Sequence, residues 1–128
     1  MDIEKPLVEL RKHKRFKVKE GALAFFNPNP TILGSIIDVS KSGLAFAYMK
    51  TDSEIDLTPE IKLDLLMSVD GFYLDQLPFD AVADILLPSQ YAFSTIVMKR
   101  LCVKFGQLSK NQKKQLDYFI SHYAIGSS

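Results

Sequence analysis

Cysteine is nearly absent from this chain: Cys102 stands alone among 128 residues, so no disulfide can close within it. Long apolar runs are missing too. No stretch approaches the roughly 18 residues that a bilayer-spanning helix requires. The first residues, Met1-Asp2-Ile3-Glu4-Lys5-Pro6, do not show the basic-then-apolar order of a secretory signal. A soluble, cytoplasmic protein without membrane insertion is expected. An excess of one charge sign is also lacking, with sixteen Lys and Arg against fifteen Asp and Glu. A general affinity for nucleic acid polymers or anionic membranes is therefore not built into the overall balance. There is no Gly-rich phosphate loop and no recognisable nucleophilic triad. His13 and His122 do not combine with Cys102 at a zinc-ligand spacing, and Asp80 and Asp84 have no partner that would give them a catalytic role. These absences point away from an enzyme, a metal centre or a cofactor.

What is present is ample material for one domain. Hydrophobic residues make up 47% and aromatics 11% of the chain, enough for a substantial core. Charge is concentrated in one place. Residues 11–19 hold Arg11, Lys12, Lys14, Arg15, Lys17 and Lys19 with no acidic residue among them. His13 reads as an exposed spacer within that run, and Cys102, between Leu101 and Val103, as a small core hydrophobe.

The pattern that follows is β throughout. Residues 1–10 carry few packing instructions, and Pro6 discourages an early helix. From Phe16 the chain alternates, and residues 16–26 read as one strand bulged at Gly21. Asn27-Pro28-Asn29-Pro30 has turn chemistry, residues 31–39 are β-branched and apolar, and residues 43–49 return antiparallel. Between these two strands lies Asp38-Val39-Ser40-Lys41-Ser42-Gly43, in which Gly43 allows a positive φ. Residues 50–59 form a surface loop, residues 61–67 alternate, and residues 73–87 make one interrupted strand or two short ones around Pro78. Residues 93–105 form a long last strand. A helix comes only at the end: Ser109 with Gln112 is a capping-box pattern, Leu116, Phe119, Ile120 and Tyr123 repeat at helical spacing, and Gly126 marks the stop. Six or seven strands and one amphipathic helix predict a small antiparallel barrel with the helix packed on it.

Arg11-x-x-x-Arg15, followed by Asp38-x-Ser40-x-x-Gly43 and then by a helix after Cys102-Val103-Lys104-Phe105, resembles the PilZ domain family of bacterial cyclic di-GMP receptors. The resemblance extends from Arg11 to about Tyr123. It implies an all-β fold, a six-stranded antiparallel PilZ-type β-barrel with a C-terminal α-helix. It also implies a flexible arm of residues 1–15 carrying the two arginines, ahead of a barrel domain over residues 16–125. Cyclic di-GMP would lie between arm and barrel, with Arg11 and Arg15 on phosphate oxygens or the guanine O6/N7 edge, Asp38 accepting from a guanine N–H edge, and Ser40 donating to phosphate. Gly43 would supply conformation rather than contact. Leu10, Lys14 and Ser42 are accessory positions; where some members carry an arginine this chain has Leu10, which favours one ligand per chain. Cys102 stands where the family often has glycine.

The function this implies is a non-enzymatic receptor whose arm changes conformation on binding and which signals to an unidentified effector protein. Two other readings belong beside it. One is a PilZ-fold adaptor that binds protein without nucleotide. The other is a basic-armed barrel for single-stranded nucleic acid, which would need aromatics exposed on a sheet for stacking; here they fall mostly in apolar alternation.

Overall fold

The computed structural model describes residues 13–28, 30, 32–51, 57–88 and 95–128. In chain order these form β1 (Phe16–Val18), β2 (Ala22–Asn27), β3 (Leu33–Val39), β4 (Gly43–Met49), β5 (Lys62–Met67), β6 (Phe72–Leu77), β7 (Phe79–Leu86), β8 (Met98–Phe105), α1 (Lys110–Tyr123) and β9 (Ala124–Ser127). All strand pairings are antiparallel, in the order β6-β5-β2-β3-β4-β8-β7, with β1 added against β3 and β9 against β1.

Connectivity forces this sheet to curl. The strands at its two ends, β6 and β7, are joined through Pro78 alone. Laid flat, seven strands at ~4.8 Å spacing would hold those ends ~29 Å apart, far beyond the ~3.8 Å that one residue adds. The sheet therefore bends round until its edges meet at Pro78, whose carbonyl accepts from Gly106 N at 2.8 Å. The result is a half-barrel. Its inner face carries Leu44, Phe46, Leu63, Leu65, Leu74 and Leu77, all with no measurable exposure.

The helix closes the core. Leu116, Phe119 and Tyr123, spaced three and four apart, are its buried face, and Phe119 packs against Phe72 and Tyr123 at ring-centroid distances of 5.8 and 5.2 Å. Ile120 is only partly buried. The capping box forms as its residues require: Ser109 Oγ accepts from Gln112 N at 3.1 Å and Gln112 Oε1 accepts from Ser109 N at 2.9 Å. Among the described residues no helix is long and apolar enough to cross a membrane.

Several expectations change. The described residues hold nine strands rather than six. Residues 16–26 are two strands that both pair with β3 but differ in their second partner, β9 for β1 and β5 for β2, because Gly21, at φ +96°, turns the chain between them. The last strand begins at Met98, not residue 93; Val97 instead accepts from Lys50 N at 2.8 Å. Gly126 does not stop the helix. Extended backbone at Ala124 (φ −70°, ψ 137°) ends it earlier, and Ala124–Ser127 become β9 on the free side of β1. Periodicity could not reveal this, since β9 is too short to alternate and depends on a partner more than a hundred residues away in sequence.

Candidate functional site

The site is built around a buried carboxylate. Asp38 lies near the end of β3, just past a register shift between Ile36 and Asp38, and opposite Ala45 on β4. Its neighbours Leu44 and Phe46 point into the core, so the Ala45 row lies on the outer face of the sheet. Three groups converge on Asp38. Arg15 Nη1 donates to Oδ1 at 3.0 Å, Arg100 Nη2 to Oδ2 at 3.2 Å, and Ser128 Oγ to Oδ2 at 3.1 Å. The Asp38 side chain is 3% exposed, against 22% for Arg15 and 33% for Arg100.

Each donor arrives by a different route. Arg15 immediately precedes β1, whose Lys17 pairs with Asp38 across the ladder. Arg100 comes from β8, two strands away, and must reach over β4. Small residues make that possible: Arg100 pairs in register with Ala47, and Asp38 with Ala45. Ser128 follows β9, and its backbone N–H also donates to Arg15 O at 3.1 Å. Two permanent cations against one carboxylate leave the cluster with a net positive charge at the solvent boundary. Arg100 Nε is buried without a hydrogen-bond partner among the described residues.

The Ser40–Gly43 turn holds its own shape. Ser40 N donates to Gly43 O at 2.8 Å, and Ser40 Oγ accepts from Ser42 N at 3.1 Å while lying 3.3 Å from Gly43 O and 3.1 Å from Ser42 Oγ. Ser40 is 1% exposed. Its hydroxyl is thus engaged within the turn. Gly43 has no positive φ, contrary to expectation; it is required by contact, because a Cβ there would lie 2.2 Å from Val103 O on β8. Ser42 O in turn accepts from Phe105 N at 2.8 Å, pinning the turn to β8.

Of the residues proposed from sequence, Arg15 and Asp38 meet directly, and Ser40, Ser42 and Gly43 form the turn beyond Asp38. Lys14 Nζ lies 5.6 Å from the Phe16 ring centroid rather than at the carboxylate. Arg11 and Leu10 lie outside the described residues, as does most of the proposed arm. His13 is half-buried rather than an exposed spacer, with Nδ1 enclosed. Cys102 is half-buried on the outer face, in register with Ala45 and Ala83, rather than in the core. Arg100 and Ser128 were not singled out from sequence. Arg100 sits in Lys99-Arg100-Leu101 like any solvated strand position, and only its register with Ala47 marks it.

Two further carboxylates serve the scaffold. Asp84 accepts from Tyr48 OH at 2.9 Å and from Lys99 Nζ at 2.9 Å; burial, then the Asp84 bond, pushes the Tyr48 phenol above its ordinary range. Asp64, fully buried, accepts from Asn27 Nδ2, Tyr73 OH and Gln76 N, fixing Gln76 at φ +62° in β6.

No protein-family model and no curated protein matches the sequence. Solved structures do. The PilZ domain of YcgR from Escherichia coli, determined with c-di-GMP, aligns at TM-score 0.61 and 13% identity over 87% of this chain and 89% of that one. The fold is PilZ-like. MrkH, described as a c-di-GMP-dependent transcription regulatory factor, aligns at TM-score 0.61 and 14% identity over 87% of this chain and 49% of its own. This chain therefore spans about half the length of MrkH. Within the PilZ-like fold, the Asp38 cluster sits on the outer face of the half-barrel where β1, β3 and β8 present their side chains together.

Proposed function

We propose that this protein is a non-enzymatic cyclic di-GMP receptor that signals to a partner protein in trans, in a bacterial cytoplasm. The observation that carries the reading is the union of the two sequence motifs: Arg15 and Asp38, 23 residues apart, share a hydrogen bond at 3.0 Å. Arg100 adds a second guanidinium. Cyclic di-GMP offers phosphate oxygens and guanine O6/N7 edges, which guanidinium forks recognise, and guanine N–H edges, which a carboxylate accepts.

Binding requires an exchange of partners. Without ligand, Asp38 holds both Arg15 and Arg100. The ligand would draw the arginines onto its acceptors, while Asp38 turns to guanine N–H donors; Arg11 and Arg15 would then swing the arm against the barrel. Arg15 is rooted one residue before β1, which pairs with β9, so that movement would reach the C-terminal strand. Ser40 and Gly43 support the site by holding the turn, and Lys14 and Ser42 contribute field and polarity at its rim.

Calorimetric titration of the full chain tests this. Heat at micromolar cyclic di-GMP with one ligand per chain, abolished in Arg15→Ala and Asp38→Ala, is expected; no heat, or undiminished binding by both variants, ends the proposal. The second reading, an adaptor that acts without nucleotide, is favoured by the internal satisfaction of Asp38 through Arg15, Arg100 and Ser128. Partner capture indifferent to added cyclic di-GMP would select it.

A further inference from the structure

The strands at the two ends of the sheet differ in what covers their outer backbone. At β6, Gln112 of the helix donates through Nε2 to Asp75 O at 3.2 Å and to Gln76 O at 2.9 Å. β7 has β8 as its one strand partner among the described residues. Its first residues, Phe79–Ala81, border a cavity lined also by Leu57, Pro59 and Ile61. Past the register shift at Val82, no second described strand pairs with it. Leu87 N donates to Met98 O at 2.9 Å, so alternation along the antiparallel ladder turns the N–H and C=O groups of Asp84 and Leu86 outward, away from β8.

The same corner of the sheet is apolar. Met49 and Met98 face each other in register, Val97 adjoins them, and Ile85 and Leu86 end β7; each is between 36% and 64% exposed. Together they present on the order of 400 Å² of apolar surface, a size that marks an interaction site. A standard interface buries about 800 Å² per partner, of which roughly 450 Å² is apolar, so the patch approaches what a stable association needs. Charge does not oppose the approach of a like surface. Asp84 is the one charged residue between Ala81 and Leu87, and Tyr48 OH and Lys99 Nζ hold it, both at 2.9 Å. Arg100, in register with Ile85, is held by Asp38.

We propose that this corner takes a second copy of the chain, with β7 pairing antiparallel to its own copy about a twofold axis at Ile85. That register sets Asp84 opposite Leu86 of the second copy, and Leu86 opposite its Asp84, so that the outward groups make four hydrogen bonds. Ile85 meets its counterpart in the closely spaced pair between them, a β-branched contact on the outer face. The ladder cannot lengthen. Pro88 has no N–H to donate, and the bulge at Val82 breaks the spacing where Pro88 of the second copy would pair. The assembly therefore closes as a dimer. The inference does not rest on the receptor reading.

The test is sedimentation velocity of the full chain from about 1 μM to about 1 mM, the range over which a modest interface associates. A monomer–dimer equilibrium is expected. Amide hydrogen exchange at the two ends of that range locates the contact: the Asp84 and Leu86 N–H groups should slow at high concentration, while Leu87 N–H, already bonded to Met98 O, should not change. Ile85→Lys sets two ammonium groups against each other on the axis and should weaken association at least about ten-fold. Val69→Lys, at a side chain 80% exposed in the turn between β5 and β6, should leave it unchanged. A chain that stays monomeric throughout leaves the edge to a strand of some other protein and overturns the inference. So does a dimer in which Asp84 and Leu86 exchange no more slowly, or one that Ile85→Lys leaves intact; the exchange measurement on the unaltered chain decides the matter even where that variant does not fold.

Discussion

Replacing Asp38 with asparagine isolates the charge at the centre of the site without changing its volume. Asparagine keeps one acceptor oxygen but turns the other position into a donor, which would face either Arg15 Nη1 or Arg100 Nη2 and Ser128 Oγ. Each guanidinium lies about 3 Å from a carboxylate oxygen. At an effective dielectric of about 20, a unit pair at 4 Å is worth roughly 4 kcal/mol before desolvation. Taking the 3%-exposed carboxylate out of water offsets much of that, and the 22% and 33% exposure of the arginines screens more. Removing the shared acceptor of two partly exposed cations should therefore destabilise the fold by about 2 kcal/mol. With an m-value of roughly 2 kcal/mol per molar, the urea midpoint should fall by about 1 M. A cycle with Arg100→Gln should show coupling on the order of 1 kcal/mol. A midpoint moving by less than about 0.2 M, or rising, would mean that desolvation cancels the pairing. The cluster would then not hold β1, β3 and β8 together.

Two other outcomes follow from the same geometry, beside the binding and association experiments already described. Gly43→Ala places a methyl 2.2 Å from Val103 O, so β4 and β8 must part at the turn; a loss of roughly 1–3 kcal/mol should lower the melting temperature by about 5–10 °C. Gly71→Ala, where nothing lies within 4 Å of the added carbon, should lose only the cost of its φ of +79°, about 1 kcal/mol. In alkali, Tyr73 and Tyr123 should ionise late. Burial and then the Asp64 bond push the Tyr73 phenol up to about 12, and the Asp70 bond, first among its causes, does the same for Tyr123. Folded values above the ordinary 10.0 mean that this stability is fully present below pH 10 and is lost as pH rises toward 12. Phenolate absorbance of the native protein should lag that of the urea-unfolded chain; coincident curves would contradict the bonds to Asp64 and Asp70.

Much of the fold was legible because it rests on short-range rules. Alternation along β2 and β5, turn chemistry around Asn27, and the Ser109–Gln112 cap are each decided by residues within a few positions of one another. The resemblance carried by the two motifs also brought forward Arg15 and Asp38, which do meet. Long-range partners were what local pattern could not supply. The segment at residues 16–26 alternates as one strand would, but Gly21 and the separate demands of β3, β5 and β9 divide it. Residues 124–127 carry no strand signal and become β9 only because β1 has a free edge beside the end of the helix.

The amino-acid sequence by itself determined a β-rich fold, a helix after the long strand that ends at Phe105, and a basic segment followed by an Asp-x-Ser-x-x-Gly turn, since periodicity and turn chemistry are local properties. Only the tertiary structure decided that Arg100 reaches Asp38 over two alanines, that Gly43 answers to the backbone of β8 rather than to its own φ, and that Ile85 and Leu86 share one corner of the sheet with Met49 and Met98. Those facts depend on strand register and on how far the sheet curls, which are set by which strands pair and by the single-residue link at Pro78.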